Sequence, residues 1–161
     1  MHKRYTKHLE SRKNMKTNSA MRNLLNDLTD SNPPISSNLF NPNFYEWNNC
    51  VLLEASSLKN IHSIEETIYQ DRTDLEASIN HYHVENLKTG LKLIANWEEH
   101  LKLQYSEREF ILILSSTIEG EDVVNRFYQL RNDEPEWIKL KDLEGYREEA
   151  ILVIEVLNAI Q

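Results

Sequence analysis

The spacing of the apolar residues changes near Tyr105. Before it, apolar positions recur mostly every three or four residues, which is typical of amphipathic helices. After it they gather into dense runs at residues 110–114 and 150–154, with a mixed segment at 123–131 between them. Short apolar runs bounded by charged residues favour buried strands. The sequence therefore predicts an α+β fold in which a helical N-terminal half packs on a small C-terminal antiparallel sheet.

The first part of the chain is predicted to form four or five helices. Asn18 and Ser19 are suitable N-cap residues for the first of them, and Trp47 is a natural core anchor of the second. Gly90 either ends the fourth helix or is a tolerated interruption within a longer one. The predicted helices cover about residues 19–28, 43–59, 64–70, 73–88 and 91–101.

The last third of the chain is predicted to form the sheet. A hairpin turn is expected at residues 119–122, where acidic side chains flank Gly120, and a second turn at residues 132–135. The predicted strands cover residues 110–114 and 123–131, and a short extended piece covers 137–140.

The final segment fits two structures. Leu143, Tyr146, Ala150 and Val153 keep a helical spacing, whereas the run at residues 151–154 has the β-branched character of a strand. We predict a strand over about residues 149–157 and keep the helix as the alternative.

Charge divides the chain at its N-terminal end. Residues 1–18 are predicted to be a flexible basic tail, and residues 19–161 a single α+β domain. Residues 1–22 contain seven Lys or Arg and one acid. The rest of the chain, which we call the body, contains eleven Lys or Arg and 25 acids, and the whole chain has a net charge of −8. A body this acidic repels nucleic acid and anionic membranes and attracts basic proteins.

Composition also indicates a compartment. A single cysteine, Cys50, excludes an internal disulfide, and no run approaches the ~18 apolar residues of a membrane span. The basic N-terminus is not followed by the apolar stretch of a secretory signal. We predict a cytoplasmic protein.

Motifs for nucleotide or nucleophilic chemistry are absent from the sequence. The three glycines stand apart, so neither of the common phosphate-binding loops is present. Cys50 lies beside predicted core positions, and the serine pairs lack the glycines of a nucleophile elbow. We predict no cofactor.

Histidines are the remaining candidates for chemistry. His81 and His83 would share a metal if they lay on a strand, but the helix predicted for residues 73–88 points them apart. We therefore predict no metal site. An enzymatic alternative is a small hydrolase or nuclease that uses His81, His83 or His100 with acidic residues from elsewhere.

The acidic turns are the better candidate for a functional surface. Solvation alone explains charged turns, but acids grouped on exposed turns also suit a docking surface for a basic protein. The predicted partner-binding residues are Glu119, Glu121 and Asp122 in the first turn and Asp133, Glu134 and Glu136 in the second.

Segments 43–47, 126–137 and 142–146 resemble the immunity proteins of bacterial polymorphic and contact-dependent toxin systems. The resemblance implies a small acidic α+β protein that binds and blocks a cognate toxin domain, often a basic nuclease. We therefore predict a non-catalytic protein-binding inhibitor. A third alternative is an oligomeric structural or regulatory subunit.

Overall fold

The computed structural model describes residues 14–28 and 42–158. No helix in these ranges is both long enough and apolar enough to cross a bilayer. The strands are β1 (Met15–Thr17), β2 (Tyr45–Trp47), β3 (Cys50–Leu52), β4 (His81–Val84), β5 (Phe110–Thr117), β6 (Val123–Gln129) and β7 (Glu149–Val156), and the α-helices are α1 (Ser19–Asn26), α2 (Arg72–Ile79) and α3 (Leu87–Gln104).

Five of these strands form one antiparallel sheet in the order β1-β7-β5-β6-β4, and β2 pairs with β3 in a separate hairpin. The predicted α+β class is confirmed. The predicted helical N-terminal half is wrong, because helices and strands alternate along the described chain.

The sheet is covered on both faces. Helices α1 and α3 cover the first face, where Trp97 packs edge-on against Phe127 with the ring centres 5.4 Å apart. The second face packs against Ala77 of α2 and against the chain between β6 and β7. The buried residues of that second cluster are Ala77, Ile111, Ile113, Tyr128, Ile138, Leu143, Ile151 and Val153.

The predicted C-terminal strands are confirmed by β5, β6 and β7. Strand β7 lies between β1 and β5 and its residues 150–154 are buried, so it needs apolar side chains on both faces. This explains why its sequence shows a continuous run rather than alternation. The extended piece predicted at residues 137–140 is instead an unpaired loop, with Ile138 packed on the sheet.

The helix predicted for residues 43–59 is wrong. Asn48 and Asn49 both have positive φ angles, 51° and 65°, and form the two-residue turn of the β2–β3 hairpin. Asparagine is one of the few residues that adopts this conformation readily, and two in a row produce a turn whose twist matches paired strands. A short 3₁₀ turn, Ser56–Leu58, follows.

The helix predicted for residues 73–88 is correct only in its first part. It ends at Asn80, a buried residue whose side chain accepts from the N–H of Leu53 at 2.8 Å and donates to the carbonyl of Val51 at 2.7 Å. These bonds tie the chain to β3, and β4 begins at the next residue. The helix predicted for residues 64–70 is only a 3₁₀ turn, Ile64–Glu66.

The last predicted helix is longer than expected. Helix α3 begins at Leu87, after Asn86, whose side chain accepts from the N–H of Thr89. Gly90 lies inside α3 and does not end a helix, but the longer helix expected to continue from residues 73–88 is wrong, because β4 separates α2 from α3.

Three residues of the predicted tail form a strand of the sheet. Met15–Thr17, predicted to lie in a flexible tail, pairs with β7, while residues 1–13 of that prediction lie outside the described residues. The first predicted helix is confirmed as α1. Its cap, Asn18, accepts from the N–H of Met21 at 3.1 Å and from that of Ile151 at 3.0 Å, so it also joins α1 to β7.

Candidate protein-interaction surface

One end of the five-stranded sheet gathers exposed acidic side chains from three segments. Thr117 pairs with Glu149 and Val84 pairs with Val123, so the end of β4, the β5–β6 turn and the start of β7 lie side by side. With strands about 4.8 Å apart, the four strands extend over roughly 14 Å. This acidic sheet end consists of Glu85, Glu119, Glu121, Asp122, Glu148 and Glu149, all exposed.

The β5–β6 turn is held by its own hydrogen bonds. Thr117 accepts from the N–H of Gly120 at 3.0 Å and donates its own N–H to the carbonyl of Glu121 at 2.8 Å. Gly120 has a φ of 88° and Asp122 a φ of 52°, as expected for a hairpin with a left-handed residue after its turn. The acids of this turn are therefore presented by a defined hairpin.

Acids outnumber cations around the acidic sheet end in the part of the chain that the structure describes. The cations Lys88 and Arg147 lie next to these loops in sequence, and Arg126 of β6 interacts electrostatically with Glu149, against six acids in all. None of the ion pairs formed between described residues involves one of the six. The acidic sheet end is a locally negative surface.

The second predicted group of acids lies at the other end of β6. Seven residues of strand separate the two groups, a distance on the order of 20 Å. Glu134 accepts from the N–H and the hydroxyl of Thr73, at 2.8 and 2.7 Å, and so joins this loop to the first turn of α2. Burial acts to raise its pKa, but the hydrogen bonds from Thr73 lower it below the ordinary value. Asp133 and Glu136 are exposed.

One ion pair among the described residues lies in the interior. Glu76 of α2 is fully buried and pairs with Arg131 at 2.6 Å. Its carboxylate also accepts from the N–H groups of Val51 and Gln129, each at 2.8 Å, and from the Gln129 side chain at 2.6 Å. Both carboxylate oxygens are fully used, so this group joins β3, α2 and β6 and has no accessible lone pair for a substrate.

The buried charge of Glu76 affects the pKa values of Arg131 and Cys50. Burial acts to lower the pKa of the Arg131 guanidinium, but the hydrogen bond and the charge of Glu76 raise it above its ordinary value. Burial, and then the same carboxylate, raise the pKa of the Cys50 thiol to about 12. Cys50 is therefore a protonated core residue at neutral pH.

The structure places two of the candidate histidines side by side and the third elsewhere. His81 and His83 lie on β4, not on the predicted helix, and their ring centres are 5.4 Å apart. His100 lies on α3, which covers the opposite face, and its Nδ1 is 2.9 Å from the carbonyl of Asn96. Within the described ranges, no group of three or more His, Cys, Asp or Glu is placed to hold a metal.

A cleft of about 410 Å³ opens beside β1 and α1. Two cations line it, and both are paired: Lys16 with Glu155 at 3.1 Å and Arg22 with Glu144 at 3.6 Å. It therefore offers an anionic ligand little free charge.

Sequence reasoning grouped only part of the acidic sheet end. Glu85 and Glu149 lie far from the β5–β6 turn in sequence and join it only through the strand register. Glu76 was missed because nothing in its helical spacing distinguishes it from a solvated glutamate.

Comparison with known proteins gives a family. Residues 16–160 match the family model described as "Uncharacterized protein PM0498 family". The comparisons with curated proteins and with solved structures found no match.

Proposed function

The chain belongs to the PM0498 family, and we propose that it is a protein-binding module whose acidic sheet end docks a basic protein. The observation that carries the proposal is the set of six exposed acids that strand register brings to one end of the sheet. Docking through complementary charge needs no catalytic group, only a fixed charged surface.

Electrostatics favours the acidic sheet end over the second group of acids. Glu134 is hydrogen-bonded to the N-terminus of α2, so only two exposed acids, Asp133 and Glu136, remain in that loop. Several like charges on one surface increase the association rate with an oppositely charged partner, and the effect weakens with salt.

The narrower form of the proposal comes from the resemblance described above. The partner is then a toxin domain with a basic surface, and binding neutralises it stoichiometrically. A membrane or a nucleic acid would be repelled by the same charges, so the partner we propose is a protein.

The experiment uses the proteins encoded beside this chain in its genome. Each is co-expressed with the full chain and tested for a stable one-to-one complex and, where it arrests growth, for protection. We expect one basic neighbour to bind and to be neutralised. If no neighbouring product binds or is neutralised, the proposal is wrong.

A further inference from the structure

Two histidines of the edge strand β4 project from the same face of the sheet. Residues two apart on a strand point to the same side, and among the described residues β4 pairs with β6 alone. His81 and His83 are both exposed, with ring centres 5.4 Å apart and ring planes at 88°. The two imidazoles are therefore adjacent and accessible to solvent.

The orientation of His81 is fixed by a backbone group. Its Nδ1 lies 2.8 Å from the carbonyl oxygen of Ser78, the residue before the last position of α2. A carbonyl can only accept, so Nδ1 carries the hydrogen and the lone pair of the neutral ring is on Nε2. Metal-binding histidines commonly use this arrangement, in which one nitrogen donates to a carbonyl and the other binds the metal.

We propose that His81 and His83 form a two-histidine site for a divalent cation that prefers imidazole, such as Zn²⁺, Ni²⁺ or Cu²⁺. With nitrogens about 2 Å from the metal and tetrahedral angles, the centres of two chelating rings lie about 5 Å apart, close to the separation found here. Water fills the remaining positions, so the cation is exchangeable.

The surroundings define which cations the site accepts. Arg126 lies opposite His81 in the strand register, and its guanidinium stacks on Trp137 at 4.7 Å and donates to the carbonyl of Ala77. The lack of a third ligand among the described residues disfavours Mg²⁺ and Ca²⁺, which require several oxygen ligands, whereas the positive charge of Arg126 acts on every divalent cation alike. Imidazole nitrogen suits the later transition metals.

The test is a calorimetric titration of the full chain with Ni²⁺. His81→Ala and His83→Ala are each expected to lower the affinity at least about tenfold, since loss of even an outer partner costs a metal site that much. His100→Ala is the matched control, because His100 makes the same Nδ1 contact with a carbonyl but has no second histidine beside it on α3. It is expected to change the affinity less than twofold.

The histidines other than His81, His83 and His100 are present in every variant, so Ni²⁺ binding to them contributes to every titration. His83→Gln, which keeps a polar side chain, is a second variant. It is expected to weaken Ni²⁺ binding as much as His83→Ala does. The proposal is wrong if the His81 and His83 variants bind Ni²⁺ like the parent, or if only one of them weakens binding. Because no partner protein is involved, the result is independent of the proposed docking function.

Discussion

A single buried carboxylate holds three elements of this fold together. Glu76 belongs to α2, and its partners belong to β3 and to the end of β6 and the residues that follow it. A buried charge is tolerated when it is paired and hydrogen-bonded, and it becomes costly when a partner is removed. Removing either Glu76 or Arg131 would therefore leave the other as a buried charge without its partner.

Replacing Glu76 with glutamine is expected to lower the free energy of unfolding by about 3 kcal/mol, because Arg131 would remain largely buried without its counter-charge. Urea unfolding at neutral pH measures the change. Glu65→Gln is the control, since Glu65 is exposed on the 3₁₀ turn before α2 and should change stability by less than about 0.5 kcal/mol. Equal effects of the two substitutions would show that Glu76 is not a structural centre.

The sequence could predict core positions better than polar contacts. Trp47 and Cys50 were expected near the core and pack in or against one buried cluster, because large or apolar side chains are buried wherever the fold places them. The pairing of Glu76 with Arg131 joins residues 55 positions apart. Such a contact depends on strand register and leaves no local pattern.

At the scale of elements, the β2–β3 hairpin shows why the helix prediction failed. Trp47 and Val51 keep helical spacing, but two consecutive asparagines between them form a turn. The hairpin is then fixed by tertiary contacts: the Trp47 ring N–H donates to the carbonyl of Ile61 at 2.9 Å. Local spacing was overridden by turn chemistry and packing.

Helix α3 lies close against the sheet at Gly90. A Cβ there would lie 2.5 Å from Leu114 and 3.1 Å from Val123, both buried in the first face. Gly90→Ala is therefore expected to destabilise the protein by about 1 kcal/mol net, although alanine is the better helix former. Thermal or urea unfolding measures it.

The control for this effect is the reverse exchange on the exposed side of the same helix. Ala95→Gly should cost about 1 kcal/mol through helix propensity alone. If Gly90→Ala raised stability by a similar amount, helix propensity would outweigh the contact and the close approach would be unimportant.

The loop after β6 stabilises α2 through Glu134. The folded pKa of this carboxyl is lower than its ordinary value of 4.5, so its contribution is present above about pH 4.5 and is lost as pH falls through the folded pKa. Glu134→Gln is expected to cost about 1 kcal/mol at pH 7 and progressively less below pH 4.5. Urea unfolding at several pH values tests this, and a difference that does not change with pH would contradict it.

At the scale of the molecule, the topology determines which charges meet. Strand β4, from the middle of the chain, pairs with β6 at the sheet edge, and β7 pairs with β5. The grouping of Glu119 with Glu121 could be predicted, because they share a turn. The addition of Glu85 could not, because the segment containing β4 was predicted to be helical, and that of Glu149 could not, because the pairing of β7 with β5 was not predicted.

The most direct test of the proposed docking compares two charge-neutralised variants of matched chemistry. Glu121→Gln with Asp122→Asn alters the acidic sheet end, and Asp133→Asn with Glu136→Gln removes the same number and kinds of charge from the other end of β6. The measurement is the association rate with the neighbour-encoded partner at low and high salt.

We expect the first variant to associate at least about fivefold more slowly at low salt, with a smaller difference at high salt, and the second to remain within twofold of the parent. Equal rates for the two variants, or a larger loss in the second, would contradict docking through the acidic sheet end.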